Sequence, residues 1–308
     1  MPYRPGYSRI THERIGRSGY ANDAATLVAM LERACSVRGL LDSPGLKKLI
    51  SGIVRLPSLP SIYLELSLAL GSEDSSVKQV ANIICQDMAM TAKVLQLVNS
   101  ALFGISRNIT SVAGAVTYLG METVKSLTLN VMAFSQFRHP PLARFAEQLS
   151  AHSLQVGALA RGIALSSQFT GATADECLTA GLLHDIGKLV LSDNRPAEFQ
   201  DALEVARLTG VTHAAAESQI FGATHAEIGA YLLWLWGLPA SVTEAVALHH
   251  NLGRSPGGAI LAVHAADALV HNQTRPEFDV ESLTHAGMME QLPRWQQLCS
   301  ESSLAATT

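Results

Sequence analysis

Apolar residues recur along this chain with the period of an α-helix, and almost no segment alternates with the two-residue period of a strand. Ser, Thr, Asp and Asn stand at the expected helix starts, where a side-chain oxygen can accept a hydrogen bond from an unpaired amide. Proline and glycine mark many of the expected ends. The pattern therefore predicts an all-α protein.

The predicted helices form two groups on either side of Arg-His-Pro-Pro at 138–141. Before this segment we expect helices at about 22–39, 46–55, 61–70, 76–86, 87–99, 111–120 and 122–137. After it we expect longer helices at about 142–167, 174–192, 196–208, 213–221, 226–236, 241–250, 258–271 and 280–292, with Pro293 interrupting the last one or starting a short final turn.

This grouping predicts two helical subdomains with the boundary at 138–141. The N-terminal subdomain would span 21–137 and the C-terminal one 138–298, the latter as a helical bundle. A flexible tail is expected at 1–20 and a frayed tail at 299–308.

Composition excludes several classes of protein. Hydrophobic residues make up 48% of the chain and charged residues 16%, whereas a disordered chain has low hydrophobicity and high charge. The most apolar segment, 230–238, is about half the length of a membrane span, and residues 1–20 lack the apolar stretch of a secretory signal. The four cysteines lie far apart and suggest no disulfide framework. We therefore expect a cytoplasmic protein with no membrane span.

Charge does not favour a nucleic-acid partner. The net charge is −4, and the four arginines within residues 1–20 fit a solvated tail. The helices at 76–86 and 87–99 have the spacing of a helix-turn-helix, but the second carries a single basic residue, Lys93. Phosphate contacts need several Lys or Arg side chains, so we do not expect this chain to bind DNA.

The residues that are candidates for metal binding or catalysis lie in the second half of the chain. His184 and Asp185 interrupt the apolar run AGLLHDIGKLVL, and burying this pair is costly unless both groups are paired or bind a cation. A lone histidine on an apolar helix is more often a hydrogen-bonded core residue. Here, however, further candidates lie among small or aliphatic residues on other predicted helices, namely His152, His225, His249, His250 and Asp267. Such side chains on several helices predict a site for a divalent Fe, Mn, Ni, Zn or Co ion.

The order H…HD…H…HH…D, with HDIGK at its centre, resembles the HD superfamily of metal-dependent phosphohydrolases. The first half resembles the HDOD family of bacterial signalling proteins, through LPSLPSIYLEL, through SVKQVANIICQDMAMTAKVLQLVNSALFG and through ITSVAGAVTYLGMETVKSLTLNV. The resemblance covers about 46–272. It implies an N-terminal helical region specific to the HDOD family and a C-terminal HD-like bundle.

The resemblance also implies a set of metal ligands. His152 matches the first histidine of the HD pattern, His184 and Asp185 match the doublet, and Asp267 matches the closing aspartate. In the family these four positions ligate one metal ion. His264 lies about one helical turn before Asp267, so the register of the last ligand stays open.

A second set of positions resembles cyclic di-GMP phosphodiesterases of the HD-GYP type. His225, His249 and His250 match histidines that serve further metal ions there, and Lys188 matches a residue that could meet a substrate phosphate. The chain departs from that pattern after the paired histidines, because Asn251 replaces an acidic residue and no Gly-Tyr-Pro follows. This departure weighs against phosphodiesterase activity and leaves the metal ligands intact.

Two functional hypotheses follow. The first is a regulatory signalling module that binds protein partners through residues 46–137 and retains an HD-type metal cluster. The alternative is a metal-dependent phosphohydrolase acting on a nucleotide second messenger, with Lys188 at the phosphate.

Overall fold

The computed structural model of the chain describes Gly39 and residues 43–306, except 73–74, 106, 138–139, 141, 168, 170–171, 254–255 and 272–277. All regular elements of these residues are helical, which confirms the all-α prediction. The α-helices of this part are α1 Pro44–Ser51, α2 Ser61–Leu70, α3 Val77–Ile84, α4 Met88–Val98, α5 Val112–Leu119, α6 Met121–Ser135, α7 Ala143–Ser167, α8 Ala174–Leu183, α9 Ile186–Asn194, α10 Pro196–Thr209, α11 His213–Phe221, α12 His225–Leu235, α13 Ala240–Leu248, α14 Gly258–His271, α15 Val280–His285 and α16 Leu292–Ala306. Short 3-10 turns lie at Ala101–Phe103 and Met289–Gln291.

Side-chain caps set the starts of the short N-terminal helices. Ser76, Asp87 and Ser111 each accept a hydrogen bond from the backbone amide three residues later, at 3.2, 3.0 and 3.1 Å. Each bond satisfies an amide that has no partner within its own helix. The predicted starts of α3, α4 and α5 are therefore confirmed.

The predicted single helix at 174–192 is wrong. Helix α8 ends at Leu183 and α9 begins at Ile186, with Asp185 at φ −101° and ψ 5° between them. The apolar pattern continues through this point, because the residues on both sides of the break are buried. Hydrophobic periodicity therefore does not predict the break between α8 and α9.

The C-terminal predictions also need correction. Helix α15 ends at His285, and a second helix, α16, starts at Leu292 with Pro293 in its first turn, where a missing N–H costs no hydrogen bond. This helix continues to Ala306, so residues 299–306 of the tail expected at 299–308 are helical. The buried Trp295 anchors α16, and its indole N–H donates to Ser167 Oγ at 2.9 Å.

Two further N-terminal predictions have different outcomes. The helix expected at 46–55 is shorter, because α1 ends at Ser51 and Gly52 caps it. The predicted tail at 1–20 and all of the predicted helix at 22–39 except Gly39 lie outside the described residues.

Close packing of the C-terminal helices brings the candidate site residues together. Helix α7 packs against α8 and α14, α9 packs against α12, and α13 packs against α8, α12 and α14. Helices α7 and α8 approach closely where Gly157 faces Gly181, since a Cβ at Gly181 would lie 2.7 Å from Gly157 Cα. Two glycines at the crossing remove the side chains that would hold the helices apart.

The N-terminal helices are tied to the C-terminal ones. Helix α6 packs against α8, and the Trp236 indole N–H donates to the Pro57 carbonyl at 3.1 Å. Buried apolar side chains from Leu46 to Cys299 form one continuous cluster. The division into two subdomains at 138–141 therefore stays a prediction. Among the described residues, no helix is both long enough and apolar enough to cross a membrane.

Candidate metal centre

Helix ends place most of the candidate ligands. His184 and Asp185 lie in the break between α8 and α9, and His225 is the first residue of α12. His249 and His250 directly follow the last residue of α13. The structure brings all five together with the two remaining candidates, which lie within α7 and α14, namely His152 and Asp267.

One oxygen of the buried Asp185 carboxylate faces a group of three histidines. Asp185 Oδ1 lies 3.2 Å from His225 Nε2 and 4.0 Å from His249 Nε2. The Nε2 atoms of His225 and His250 lie 3.1 Å apart. These four side chains can offer ligand atoms that all lie within 4.8 Å of one another.

The other oxygen of the Asp185 carboxylate, Oδ2, faces a second group of candidate ligands. Asp185 Oδ2 lies 3.4 Å from His184 Nε2 and 3.9 Å from His152 Nε2. Asp267 Oδ1 completes this side, at 3.1 Å from His152 Nε2 and 3.5 Å from His184 Nε2. Asp185 is therefore the residue that the two groups share.

Lys188 also contacts this carboxylate. It lies one turn after Asp185, and its Nζ donates to Asp185 Oδ2 at 2.7 Å. Its side chain is 18% exposed, whereas the Asp185 side chain is 2% exposed.

Backbone carbonyls fix two of the imidazole rings. His184 Nδ1 lies 2.8 Å from the Gly181 carbonyl, and His249 Nδ1 lies 2.8 Å from the Val246 carbonyl. A carbonyl oxygen can only accept, so each Nδ1 carries the proton and each Nε2 faces the centre. Among the described residues these two Nε2 atoms and Asp185 Oδ1 are buried without a hydrogen bond. Buried polar atoms are rarely left in this state, and three of them among the candidate ligands indicate a site for a cation.

Glu217 on α11 is a functional candidate that the sequence analysis missed. Its Oε2 accepts from the backbone N–H of His225 at 2.7 Å and from His225 Nδ1 at 2.6 Å. The carboxylate is buried, and it turns His225 Nε2 toward Asp185. A carboxylate behind a ligating imidazole is a common arrangement in metal sites. The available signal in the sequence was the single acidic residue of α11, eight residues before His225.

The structure also settles the register at α14. His264 Nδ1 donates to the His249 carbonyl at 2.8 Å, and His264 Nε2 accepts from the backbone N–H of Asp279 at 3.0 Å. Both ring nitrogens are therefore used outside the cluster. Asp267, and not His264, is the residue of this helix that faces the candidate ligands.

The surroundings of the three carboxylates, Asp185, Asp267 and Glu217, favour the ionised form by lowering the pKa of each. Burial by itself would raise the pKa of Asp185, but the His184 and Lys188 charges outweigh it and hold this pKa well below its usual range. Burial is similarly outweighed at Asp267, whose pKa is held well below its usual range by the adjacent His152 and His184.

The negative charge of these three carboxylates is not balanced by Lys188 alone. Burial raises the pKa of Glu217, but the adjacent His225 has the larger combined effect and lowers it. Three carboxylates against the Lys188 ammonium leave two negative charges when the imidazoles are neutral. Burial lowers the pKa of His225, yet Glu217 and Asp185 raise it to about 9. Without a metal ion, protons on imidazoles therefore offset the excess charge, and one divalent cation would offset it fully.

The donor set fits a divalent metal ion. Burial, with His250 and His184, holds the pKa of His249 well below its usual range, so this ring is neutral and its Nε2 lone pair is available. Neutral imidazole with carboxylate oxygen suits Fe, Mn, Ni, Zn and Co. Asp185 belongs to both groups of ligands, so it could help to hold a metal ion in either one.

Comparison with known proteins identifies the family. The HDOD domain profile matches residues 56–252, which is more than half of the chain. The chain belongs to the HDOD family. An uncharacterized protein of Treponema pallidum is 29% identical over 201 residues, which make up 65% of this chain and 39% of that protein. This HDOD chain thus spans well under half the length of the curated relative it matches.

Solved structures share the fold. An HDOD domain protein of unknown function from Geobacter sulfurreducens is 25% identical, with a TM-score of 0.63 over 87% of this chain and 99% of that one. A proposed phosphohydrolase from Shewanella amazonensis is 23% identical, with a TM-score of 0.64 over 86% and 99% of the two chains. A proposed signal transduction protein from Marinobacter aquaeolei is 19% identical, with a TM-score of 0.66 over 92% and 68%.

Proposed function

We propose that this HDOD protein is a regulatory signalling module that binds a divalent metal ion at the Asp185 centre and protein partners through its N-terminal helices. The observation that carries the metal site is a pair of buried imidazole nitrogens without hydrogen bonds, His184 Nε2 and His249 Nε2, which lie 3.4 and 4.0 Å from the two oxygens of the Asp185 carboxylate. Asp185, His184, His152 and Asp267 would hold one ion. His225, His249 and His250 would serve a second.

Elemental analysis of the purified protein tests the metal site. The intact chain should retain a stoichiometric divalent metal, whereas Asp185→Ala should lose it, because that carboxylate is common to both groups of ligands. Asp201→Ala removes an exposed carboxylate on α10 and is the matched control. Equal metal content in all three proteins, or none in the intact chain, would refute the metal-binding proposal.

The effect on stability separates a structural metal from a catalytic one. If the ion links the helices, its binding free energy contributes to folding. Asp185→Ala should then lower the melting temperature by several degrees, because it removes a ligand and leaves buried imidazoles without their counter-charge. A catalytic ion in an open site contributes less, so the same change should abolish turnover with a small loss of stability.

The proposed partner surface includes α2. Leu64 and Leu68 lie one turn apart on this helix and are 51% and 69% exposed, and Met88 at the start of α4 is 86% exposed. Neighbouring exposed apolar side chains, such as Leu64 and Leu68, favour a protein interface. In the 308-residue chain, the double change Leu64→Asp and Leu68→Asp should remove partner binding in cross-linking experiments, while Asp185→Ala should preserve it.

A second candidate function is hydrolysis of a phosphate ester or phosphodiester. The observation that favours it is the partial exposure of one side of the centre, where the side chains of His152, Asp267 and Lys188 are 25%, 19% and 18% exposed. Lys188 would bind and orient a substrate phosphate as a point charge, and Asp185 would hold that ammonium in place. A bound divalent ion supplies a water of lowered pKa and polarises a phosphoryl oxygen.

A substrate panel tests this alternative. The Fe-loaded and Mn-loaded protein should be assayed on cyclic dinucleotides, cyclic mononucleotides and guanosine polyphosphates. Turnover that Lys188→Met reduces and Asp201→Ala leaves intact would support hydrolysis. Absence of turnover across the panel with both metals would eliminate it and leave the regulatory module.

A further inference from the structure

Helix α6 of the N-terminal region carries a stripe of buried polar side chains. Thr123, Ser126 and Asn130 are three and four residues apart, so they lie on one face of the helix. Each is almost fully buried. A polar stripe in a buried interface is costly unless each member has a hydrogen-bond partner.

The partners of this stripe lie in the same order along α8. The three hydrogen bonds join Thr123 Oγ1 to Asp175 Oδ1 at 2.8 Å, Ser126 Oγ to Thr179 Oγ1 at 2.7 Å, and Asn130 Nδ2 to the Leu182 carbonyl at 3.1 Å. The first two bonds join side chains near the start and middle of α8. The third reaches the backbone next to the helix break that presents the metal-site doublet.

The position of this third bond connects it to the candidate metal centre. Leu182 lies two residues before His184 and belongs to the last turn of α8. Carbonyls in the last turn of a helix have no partner within that helix. The Gly181 carbonyl is used by His184 Nδ1, and the Leu182 carbonyl is used by Asn130. The end of α8 is therefore held by one ligand ring and one side chain of α6.

The same amide contacts the helix that carries another candidate ligand. Asn130 Oδ1 accepts from Ser150 Oγ at 3.4 Å, and Ser150 lies two residues before His152 on α7. One buried side chain thus touches both helices whose histidines face Asp185 Oδ2.

We propose that Asn130 is a positioning residue that couples helix α6 of the N-terminal region to the metal centre, by fixing the turn of α7 that carries His152 and the end of α8 that precedes His184. This inference rests on the proposed metal-binding function. Since coupling is reciprocal, metal binding should also stabilise α6, and displacement of α6 by a partner should weaken the metal site.

Two substitutions in the 308-residue chain test the role of Asn130. Asn130→Ala removes the amide, and Asn130→Leu removes its hydrogen bonds while keeping most of the buried volume. Ser126→Ala is the matched control, because it breaks another bond between the same two helices one turn away from the break. All three should lower the melting temperature by a similar few degrees. The Asn130 variants should bind Mn²⁺ at least about tenfold more weakly than the intact chain, whereas Ser126→Ala should bind it normally.

Hydrogen exchange followed by mass spectrometry gives a readout that does not depend on metal. In the metal-free protein, amides of 183–188 should exchange faster in the Asn130 variants and at the normal rate in Ser126→Ala. Mn²⁺ should protect α6 in the intact chain and not in the Asn130 variants. If the intact chain binds no metal, the proposed function fails, and normal exchange at 183–188 in the Asn130 variants overturns the inference by itself. If metal binds, equal Mn²⁺ affinity in the Asn130 and Ser126 variants overturns it.

Discussion

Substitution of Gly187 by alanine should damage the metal centre through helix packing alone. Gly187 lies in the first turn of α9, and a Cβ there would be 2.0 Å from the His225 carbonyl oxygen and 2.8 Å from Gly229 N. Both atoms belong to the backbone of α12, so no flexible side chain can move aside. The added methyl group must push α9 and α12 apart.

The size of the effect follows from these distances. A carbon–oxygen contact of 2.0 Å must open by about 1 Å to become tolerable, and overpacking of this kind costs about 1–3 kcal/mol. The better helix propensity of alanine returns up to about 1 kcal/mol. The melting temperature should therefore fall by a few degrees. Since Asp185 precedes α9 and His225 begins α12, the gap of 3.2 Å between their ligand atoms should widen, and Mn²⁺ affinity should fall about 10- to 100-fold.

Gly162→Ala provides the matched control on α7. A Cβ at Gly162 would meet only Leu298 Cδ1, at 4.0 Å, so the propensity gain should leave the melting temperature equal or slightly higher. Circular dichroism melting and calorimetric Mn²⁺ titration measure the two quantities. Equal stability and equal metal affinity in the Gly187 and Gly162 variants would refute the packing argument.

Three further predictions concern single side chains. Glu217→Gln should weaken Mn²⁺ binding about 10- to 100-fold, as calorimetry would measure. It should also lower the pKa of His225 in the metal-free protein, because Glu217 overcomes the effect of burial and raises that pKa to about 9. An NMR titration of the His225 ring measures this pKa, and an unchanged value would contradict the role assigned to Glu217. Burial raises the pKa of Cys177 to about 12, so iodoacetamide at neutral pH should modify the exposed Cys85 and spare Cys177 in the native protein; peptide mass spectrometry checks this, and comparable labelling at both would show that the thiol is accessible. Asn194→Ala removes the oxygen that accepts hydrogen bonds from the Val54 and Arg55 amides at 3.0 and 2.8 Å. The substitution should lower the free energy of unfolding by about 1 kcal/mol per bond and speed tryptic cleavage after Arg55. An unchanged cleavage rate would count against this prediction.

Local sequence signals were sufficient for most of the fold. Helical periodicity and capping residues predicted the all-α class and the bounds of α2, α11 and α14, because these signals act within one turn of the chain. They failed at the break between α8 and α9. Residues on both sides of that break are buried, so the apolar pattern of one long helix and of two helices joined in the core is the same.

The candidate ligands were also visible in the sequence, because histidine and aspartate among aliphatic residues are costly to bury without a partner. The pattern did not reveal Glu217, whose role depends on the meeting of α11 with the start of α12. It also left His264 and Asp267 as alternatives. Only their directions in the folded chain separate them, since His264 turns to the His249 carbonyl and Asp267 turns to the cluster.

The sequence by itself determined which residue types are present, where most helices start and which polar groups would need partners in the core. The tertiary structure decided which of those groups meet. Asp185 and Asp267 are 82 positions apart in the sequence, and both contact His184 because α14 and the break after α8 converge on the same point. Such contacts depend on helix crossings set by glycines such as Gly187, whose close approach to α12 becomes evident only when both helices are in place.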